Sequence, residues 1–309
     1  MFSRTMRRVA PAAAAFSLGA LVLAGCTGGG DPLDPGTGGG DAGTITIGNQ
    51  AFPESELLAQ IYGQYLEAHG YTVAYEAGIG SRETFITALQ DGSIDLIPDY
   101  AGNALIFANP DAEETSADDV EAALPAALES LGLAVTAAAP GEDSDALVVT
   151  REFATENDLT TIGDLAPLSS SITLGANTEF EPRWRAGLAE VYGFEGWAFK
   201  AIDDYGGPGT LADLLAGAIQ VADIYTTTPS IAANDLVVLE DDLDLFAAQN
   251  IIPLLNADVL TDELAALLDE VSAKITTDVL LELNGEMAGD ARPSAAQVAA
   301  AWLAEVGLL

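Results

Sequence analysis

Hydrophobic and polar positions alternate in a recurring order from residue 44 onward. Strand-like alternation marks "TITIG" (44–48) and "TVAYEAG" (72–78), and apolar residues between them recur at helical spacing. A second helical pattern covers 81–92, and the apolar run "SIDLIPDY" (93–100) follows it. The order β-α-β-α-β predicts a parallel sheet with helices on its faces.

The second half of the chain repeats this order. Strands are predicted at "SITLGA" (171–176), "WAFKAI" (197–202) and "IQVADIY" (219–225), with one helix from Pro182 and another over 210–218 between them. The sequence therefore predicts an α/β protein of two lobes with one internal plan.

The lobe boundaries follow from where the two plans begin and end. We expect one lobe to comprise 44–145 plus 249–309, and the other 146–248. Two strand segments, "DALVVTREFA" (145–154) and "NDLVVLEDDLDLF" (234–246), are predicted near the crossings, the two places where the chain passes from one lobe to the other. After Pro253 the pattern is helical to the end of the chain, and we expect this part to pack on the first lobe.

A tyrosine ends the third strand of each half. "GSIDLIPDY" (92–100) and "GAIQVADIY" (217–225) share their first, third and last residues. Ligands of open α/β sheets bind beyond the carboxyl ends of the strands, so Tyr100 and Tyr225 are expected to face one cleft. Alternatively, each tyrosine packs on a neighbouring helix and contributes only to the core.

The first 25 residues have the pattern of a bacterial export signal. Basic residues precede an apolar stretch, 12–24, that is too short for an ordinary spanning helix. "LAGC" resembles a lipobox, which makes Cys26 the expected lipidation site; a plain secretory signal is the alternative. Residues 26–43 are rich in Gly, Pro and Asp and predict a flexible tether. The expected location is the outer face of the bacterial cytoplasmic membrane, with the lipid on Cys26 as anchor.

Composition removes several function classes. The chain of 309 residues carries 48 acidic side chains against 10 Lys and Arg, a formal net charge of −38, which disfavours nucleic-acid binding. With one Cys and one His, disulfides and Cys/His zinc sites are excluded. No calcium-loop spacing and no Walker A sequence occur, so we expect no metal, no cofactor and ATP hydrolysis in another subunit. We expect a monomer.

Several stretches together resemble one known family. They are "IGNQAFPESELLAQIYGQYLEAHGY", "GSIDLIPDYAGNAL", "TIGDLAPLSSSITLGANTEFEPR" and "IYTTTPSIAANDLVVLEDD". In this order and spacing they are similar to the substrate-binding proteins of ABC importers for glycine betaine, choline and related quaternary amines. The resemblance implies a type II periplasmic-binding fold that closes like a hinge, a permease as partner, and no catalysis.

The resemblance also implies a set of ligand-binding residues. In the family a cage of tyrosines holds the trimethylammonium group, and polar or basic side chains hold the other end of the ligand. The matching positions in this sequence are Gln50, Tyr100, Asn103, Glu179, Arg183, Tyr225 and Thr226.

Two positions depart from the family pattern. Asp145 and either Gln249 or Asn250 stand where the family has further aromatic residues, so half of the cage is expected to be replaced. Asp145 could attract a cationic head and Arg183 could hold a carboxylate. Alternatively, Asp145 is solvated or caps a turn, and Arg183 pairs with Glu179 or Glu181.

Three functional hypotheses remain beside the quaternary-amine receptor. The same fold could bind a different small polar or zwitterionic metabolite, or the protein could be a surface sensor without a transport role. An enzyme on this fold needs a nucleophile in the cleft, and the only Cys lies at the lipidation site. We therefore expect a binding protein.

Overall fold

Two mixed five-stranded sheets organise the computed structural model, which describes residues 43–289 and 291–309. The predicted signal, Cys26 and nearly all of the predicted tether lie outside these residues. None of the helices in the described ranges is long and apolar enough to cross a bilayer.

The first sheet has the spatial order β2-β1-β3-β10-β4. The strands β1, β2 and β3 run parallel, as the β-α-β-α-β order predicts, whereas β10 is antiparallel to both of its neighbours. The strands of this sheet are β1 (Thr44–Gln50), β2 (Thr72–Ile79), β3 (Leu96–Tyr100), β4 (Leu133–Val135) and β10 (Ile251–Asn256).

The second sheet repeats this arrangement in the order β7-β6-β8-β5-β9. Here β6, β7 and β8 are parallel, and β5 is antiparallel to β8 and β9. The strands are β5 (Leu147–Thr150), β6 (Thr173–Ala176), β7 (Ala198–Ala201), β8 (Val221–Asp223) and β9 (Leu236–Val238). In both sheets the antiparallel strand follows a crossing between the lobes and lies beside the strand that leads to a cleft tyrosine.

Helices cover the faces of both sheets. They are α1 (Pro53–Ala68), α2 (Arg82–Gln90), α3 (Ala101–Ala108), α4 (Ala117–Glu129), α5 (Arg151–Glu156), α6 (Phe180–Tyr192), α7 (Pro208–Leu215), α8 (Ser230–Ala233), α9 (Asp262–Ser272), α10 (Thr277–Ala288) and α11 (Ala295–Glu305). Short 3-10 helices cover Ile162–Ser171 and Ala257–Val259.

The C-terminal helices pack on the first sheet, as expected from the sequence. Leu268 of α9, Leu283 of α10 and Leu303 of α11 are buried in one cluster with Leu57 of α1 and Ile47 of β1. Burial of each such side chain stabilises the fold by about 1.5–3 kcal/mol. Helices α2, α3 and α4 cover the opposite face of the sheet.

The alternation of β5 assigns its residues to the two faces of the second sheet. Leu147 and Val149 pack in the cluster that contains Trp184 and Leu188 of α6. Val148 packs on the other face, in a cluster with Leu214 of α7 and others. Period-2 alternation thus directs one face of the strand to each helical layer.

The prediction that the chain is helical from Pro253 onward is wrong at its start. Residues 251–256 form β10, and Pro253 pairs in register with Pro98 of β3. Its apolar residues are buried because helices cover both faces of the sheet. A short, uniformly apolar run of this kind has no strand periodicity to distinguish it from a helix.

The two segments predicted as strands near the crossings are strands only in part. The first becomes α5 at Arg151, where the Thr150 hydroxyl accepts a hydrogen bond from the Phe153 amide at 3.2 Å and caps the helix. The second leaves the sheet after Val238, and the Asp241 carboxylate then accepts the backbone amide of Phe246 at 2.7 Å.

The two crossings lie side by side between the lobes. The Ile251 amide donates to the carbonyl of Gly141 at 3.0 Å, and the Asp143 amide donates to the carbonyl of Gln249 at 3.1 Å. A side chain at Gly141 would collide with the backbone of Thr276, since an ideal Cβ lies 2.7 Å from its carbonyl carbon. Paired extended segments of this kind form a hinge between two lobes.

Candidate functional site

The two strand-end tyrosines line one compartment between the lobes. Tyr100 is the last residue of β3 and is 7% exposed, and Tyr225 lies two residues beyond β8. The compartment they share has a volume of about 30 Å³. Most of the residues predicted from the sequence line it: Gln50, Tyr100, Asn103, Asp145, Glu179, Arg183 and Tyr225.

Three predicted residues lie outside this lining and support the crossings instead. The Gln249 side chain accepts the Asn103 amide at 3.0 Å, and the Asn250 side chain donates to the carbonyl of Ala139 at 3.0 Å. The Thr226 hydroxyl accepts the Ser144 amide at 3.0 Å. Ligand contact by these three residues stays a prediction.

Two aromatic side chains that the sequence analysis missed complete a cluster of four rings. The centroid of the Phe52 ring lies 6.2 Å from that of Tyr100, 5.5 Å from that of Tyr205 and 6.1 Å from that of Tyr225. Phe52 and Tyr205 thus add two rings beside the two tyrosines. The replacement of half of the family's cage at Asp145 and at Gln249 or Asn250 stays a prediction.

The signals for these two rings differ. Phe52 follows β1 by two residues, as Tyr225 follows β8, so the strand-end rule that identified the tyrosines also applies to it. Tyr205 lies in the loop after β7 with φ of 54°, in the left-handed region that non-glycine residues rarely adopt. Nothing in the hydrophobic pattern predicts that conformation.

A buried carboxylate joins three elements beside the rings. Glu54 of α1 is 5% exposed and accepts hydrogen bonds from the Tyr100 hydroxyl at 2.8 Å, the Thr227 hydroxyl at 2.6 Å and the Asn284 amide at 2.6 Å. Burial, and next the charge of Glu54, raise the pKa of Tyr100 well above its usual value. The phenol therefore stays neutral and remains a donor to the carboxylate.

Asp143 is the second carboxyl group of this cluster. It is 6% exposed and accepts the Thr227 amide at 3.0 Å. Burial and the neighbouring charge of Glu54 raise the pKa of Asp143 well above its usual range. Two carboxyl groups in one dry site disfavour a second negative charge.

Asp145 and Arg183 form an ion pair rather than two free charges. Nη1 of Arg183 lies 3.5 Å from Oδ2 of Asp145, which also accepts the Trp184 indole N–H at 3.1 Å. The other end of the Arg183 guanidinium lies 3.3 Å from Glu179. The sequence left open whether Arg183 pairs with Glu179 or Glu181, and the structure pairs it with Glu179.

A second arginine lines the same compartment. Arg82 of α2 forms an ion pair with Asp99 of β3, whose side chain is fully buried. Both basic side chains of this lining thus have a carboxylate partner. Within the described residues, no cluster of three or more His, Cys, Asp or Glu side chains is placed to hold a metal ion.

Side-chain hydrogen bonds in this site connect the lobes directly. Nη1 of Arg183 donates to the Asn103 amide oxygen at 3.3 Å, and the Thr227 hydroxyl donates to Glu54. Asn103 and Glu54 belong to helices of the first lobe, whereas Arg183 belongs to α6 and Thr227 follows β8 in the second. These contacts hold the lobes together over the aromatic rings.

The sequence of this chain is similar to those of known proteins. The family model described as the substrate-binding domain of ABC-type glycine betaine transport systems matches residues 43–305. The glycine betaine-binding protein YehZ of Escherichia coli (strain K12) is 26% identical over 281 residues, covering 86% of this chain and 92% of YehZ. The carnitine transport binding protein OpuCC of Listeria monocytogenes serotype 1/2a (strain 10403S) is 26% identical over 274 residues, covering 82% and 84% of the two chains.

A solved structure extends the comparison to the fold. The crystal structure of a glycine betaine/carnitine/choline ABC transporter protein aligns with a TM-score of 0.69 at 23% identity, covering 86% of this chain and 98% of that one. This likeness confirms the two-lobed type II fold. The family model confirms the resemblance drawn from the sequence and, with it, a binding rather than a catalytic role.

Proposed function

The chain belongs to the family of substrate-binding domains of ABC-type glycine betaine transport systems, and we propose that its interlobe cleft captures a small quaternary amine for import. The family consists of extracytoplasmic binding proteins that work with ABC permeases. Anchoring through a lipid on Cys26 is part of the proposal and rests on the "LAGC" sequence.

The four-ring cluster is the observation that carries this proposal. A quaternary ammonium group has no N–H to donate, so ring faces and apolar contacts must hold it. A desolvated cation–π contact contributes about 2 kcal/mol, and several rings around one cation are a recurrent solution to this problem. Phe52 lies within 6.2 Å of each of the three tyrosine rings.

The hydroxyl groups and charges beside the rings favour a cation. The Tyr100 hydroxyl donates to Glu54, and the Tyr225 hydroxyl accepts the Asn177 amide at 3.3 Å. The buried charge of Glu54 makes the potential at the rings more negative. A positively charged head is therefore stabilised by the ring faces and by this carboxylate together.

The polar part of the compartment wall suits the other end of the same ligand. Gln50, Asn103 and Arg183 line it, and the Nε2 atom of Gln50 is buried without a hydrogen-bond partner in the part of the chain that the structure describes. A carboxylate or hydroxyl group of the ligand would satisfy that donor. Because this wall also suits other zwitterions, a different small polar or zwitterionic metabolite is the second candidate.

Ligand entry requires movement of the lobes. The compartment of about 30 Å³ corresponds to roughly one water molecule. Opening about the paired crossings would separate Arg183 from Asn103 and Thr227 from Glu54, and closure would restore these contacts around the ligand. Such hinge closure is a common mode of ligand capture in two-lobed binding proteins.

Calorimetric titration of two variants at one position tests the proposal. Tyr225→Leu removes a ring face, and Tyr225→Phe keeps the ring and removes only the hydroxyl group. We expect Tyr225→Leu to weaken binding of glycine betaine, choline or carnitine at least tenfold, and Tyr225→Phe to change it less than threefold. Tyr100 is a less suitable position, because its replacement also deprives the buried Glu54 of a donor.

Two results would contradict the proposal. One is unchanged affinity in Tyr225→Leu. The other is a wild-type protein that binds none of these amines but binds proline or another amino acid without a quaternary nitrogen.

A further inference from the structure

A second cavity adjoins the compartment between the tyrosines. Its volume is about 350 Å³, within the usual range of small-molecule sites. Its wall is largely apolar and includes Pro208, Leu211, Pro229, Met287 and Ala288. Leu211 belongs to α7 of the second lobe and Met287 to α10 of the first, so this cavity also lies between the lobes.

The two cavities share part of their lining. Phe52, Tyr205, Tyr225 and the carboxyl group of Asp143 line both of them. A ligand group held against the three rings is therefore adjacent to the larger cavity.

The loop that carries Tyr205 is fixed against the second lobe. An ideal Cβ at Gly206, whose φ is 75°, would lie 2.9 Å from the Cα of Ile224. The Asp204 carboxylate accepts the backbone amides of Gly209 at 2.6 Å and Thr210 at 3.1 Å. These contacts make this part of the cavity wall a preformed surface.

The carboxyl groups at the edge of the larger cavity are already engaged. Glu54 accepts hydrogen bonds from Tyr100, Thr227 and Asn284, and Asp143 accepts the Thr227 amide. The remaining surface is mostly apolar and favours a hydrocarbon group over a second charge.

We propose that the larger cavity is the second half of the ligand site and receives an apolar arm of a quaternary amine whose head lies against the shared rings. The ligand class is thus an ammonium compound or betaine with an aryl or branched alkyl substituent. This inference rests on the proposed function and adds the chemistry of the arm to it.

Two probes that differ only in the arm test this inference. Tetramethylammonium presents the head alone, and benzyltrimethylammonium adds one ring. In calorimetric titration of the wild-type protein we expect benzyltrimethylammonium to bind at least tenfold more tightly, because the benzyl group leaves water.

A variant that fills the larger cavity locates the arm. Leu211→Trp should weaken binding of benzyltrimethylammonium more than that of tetramethylammonium and so reduce the ratio of the two dissociation constants to threefold or less. Leu215→Trp is the matched control on the same helix, because Leu215 is 51% exposed and lies outside the cavity lining. If Leu211→Trp does not fold, Met287→Trp fills the same cavity from the first lobe.

The outcomes separate this inference from the proposed function. If glycine betaine binds the wild-type protein but the benzyl group adds no affinity, only the second half-site is refuted. If Leu211→Trp weakens both probes equally, the head itself occupies the larger cavity and the inference is also overturned. If no quaternary amine binds, the proposed function fails and this inference fails with it.

Discussion

Replacing Phe52 by leucine removes the ring that contacts the other three aromatic side chains of the cleft. The centroid distances from Phe52 are 5.5 to 6.2 Å, so a cation among the rings would lie close to the Phe52 face. Leucine keeps an apolar contact of similar reach and removes only the quadrupole of the ring. The expected loss is the cation–π contribution of about 2 kcal/mol, or roughly 30-fold in the dissociation constant.

The assay separates charge from shape with an isosteric pair of ligands. Choline carries the cation, and 3,3-dimethylbutan-1-ol replaces its nitrogen by carbon and is uncharged. Calorimetric titration of the wild-type protein, Phe52→Leu and Phe52→Tyr should show the 30-fold loss only for choline in Phe52→Leu. Phe52→Tyr keeps the ring and is the matched control. Because Phe52 lies at the edge of the core and is only partly buried, the stability of Phe52→Leu should fall by only about 1 kcal/mol.

Two results would refute this reasoning. A loss of threefold or less for choline would mean that the Phe52 ring does not face the cation. Equal losses for choline and its uncharged analogue would mean that the ring contributes shape and apolar area but no electrostatic attraction.

Two further predictions concern the buried charges of the cleft. Arg82→Gln leaves the fully buried Asp99 without a counter-ion and should lower the free energy of unfolding, measured by urea denaturation, by about 3–5 kcal/mol. Arg151→Gln is the control, because Arg151 belongs to an exposed ion pair and its replacement should leave the free energy of unfolding nearly unchanged. Equally small effects of the two substitutions would contradict this prediction. Burial and Glu54 raise the pKa of Asp143 in the folded state, so its contribution to stability is complete below about pH 4 and is lost as the pH rises through the raised value. Asp143→Asn removes this titration, so the melting temperature of the wild-type protein should fall more steeply than that of the variant as the pH rises from 4 to 8. Parallel pH profiles would show that Asp143 does not titrate as proposed.

The elements that the sequence predicts well are those whose apolar residues recur at a regular spacing. In β1, Thr44 and Thr46 alternate with Ile45 and Ile47, and the apolar residues of α1 recur at helical spacing. The strand β10 was not predicted because both of its faces are buried, so its residues are apolar without alternation. The helix α5 was not predicted because the apolar run before it indicates a strand, and the cap at Thr150 starts a helix there.

The site was predictable as far as it depends on strand ends. Tyr100 and Tyr225 follow from that rule, and Phe52 follows from it equally. The position of Tyr205 depends on a left-handed backbone conformation in a loop. The pairing of Asp145 with Arg183 joins residues 38 positions apart through tertiary packing, and the sequence analysis did not predict it.

The position of β10 also determines when each half of the molecule can be completed. The second sheet draws all its strands from one uninterrupted stretch of chain, Leu147–Val238. The first sheet is interrupted: Tyr100 pairs with Ile251, so one of its interior strands is supplied only after the entire other half has been synthesised. Closing a loop of that length carries an entropic cost that local helices and hairpins avoid. The half that begins the chain is therefore the last to acquire its full set of strands, and the binding surface between the halves comes into being only at that point.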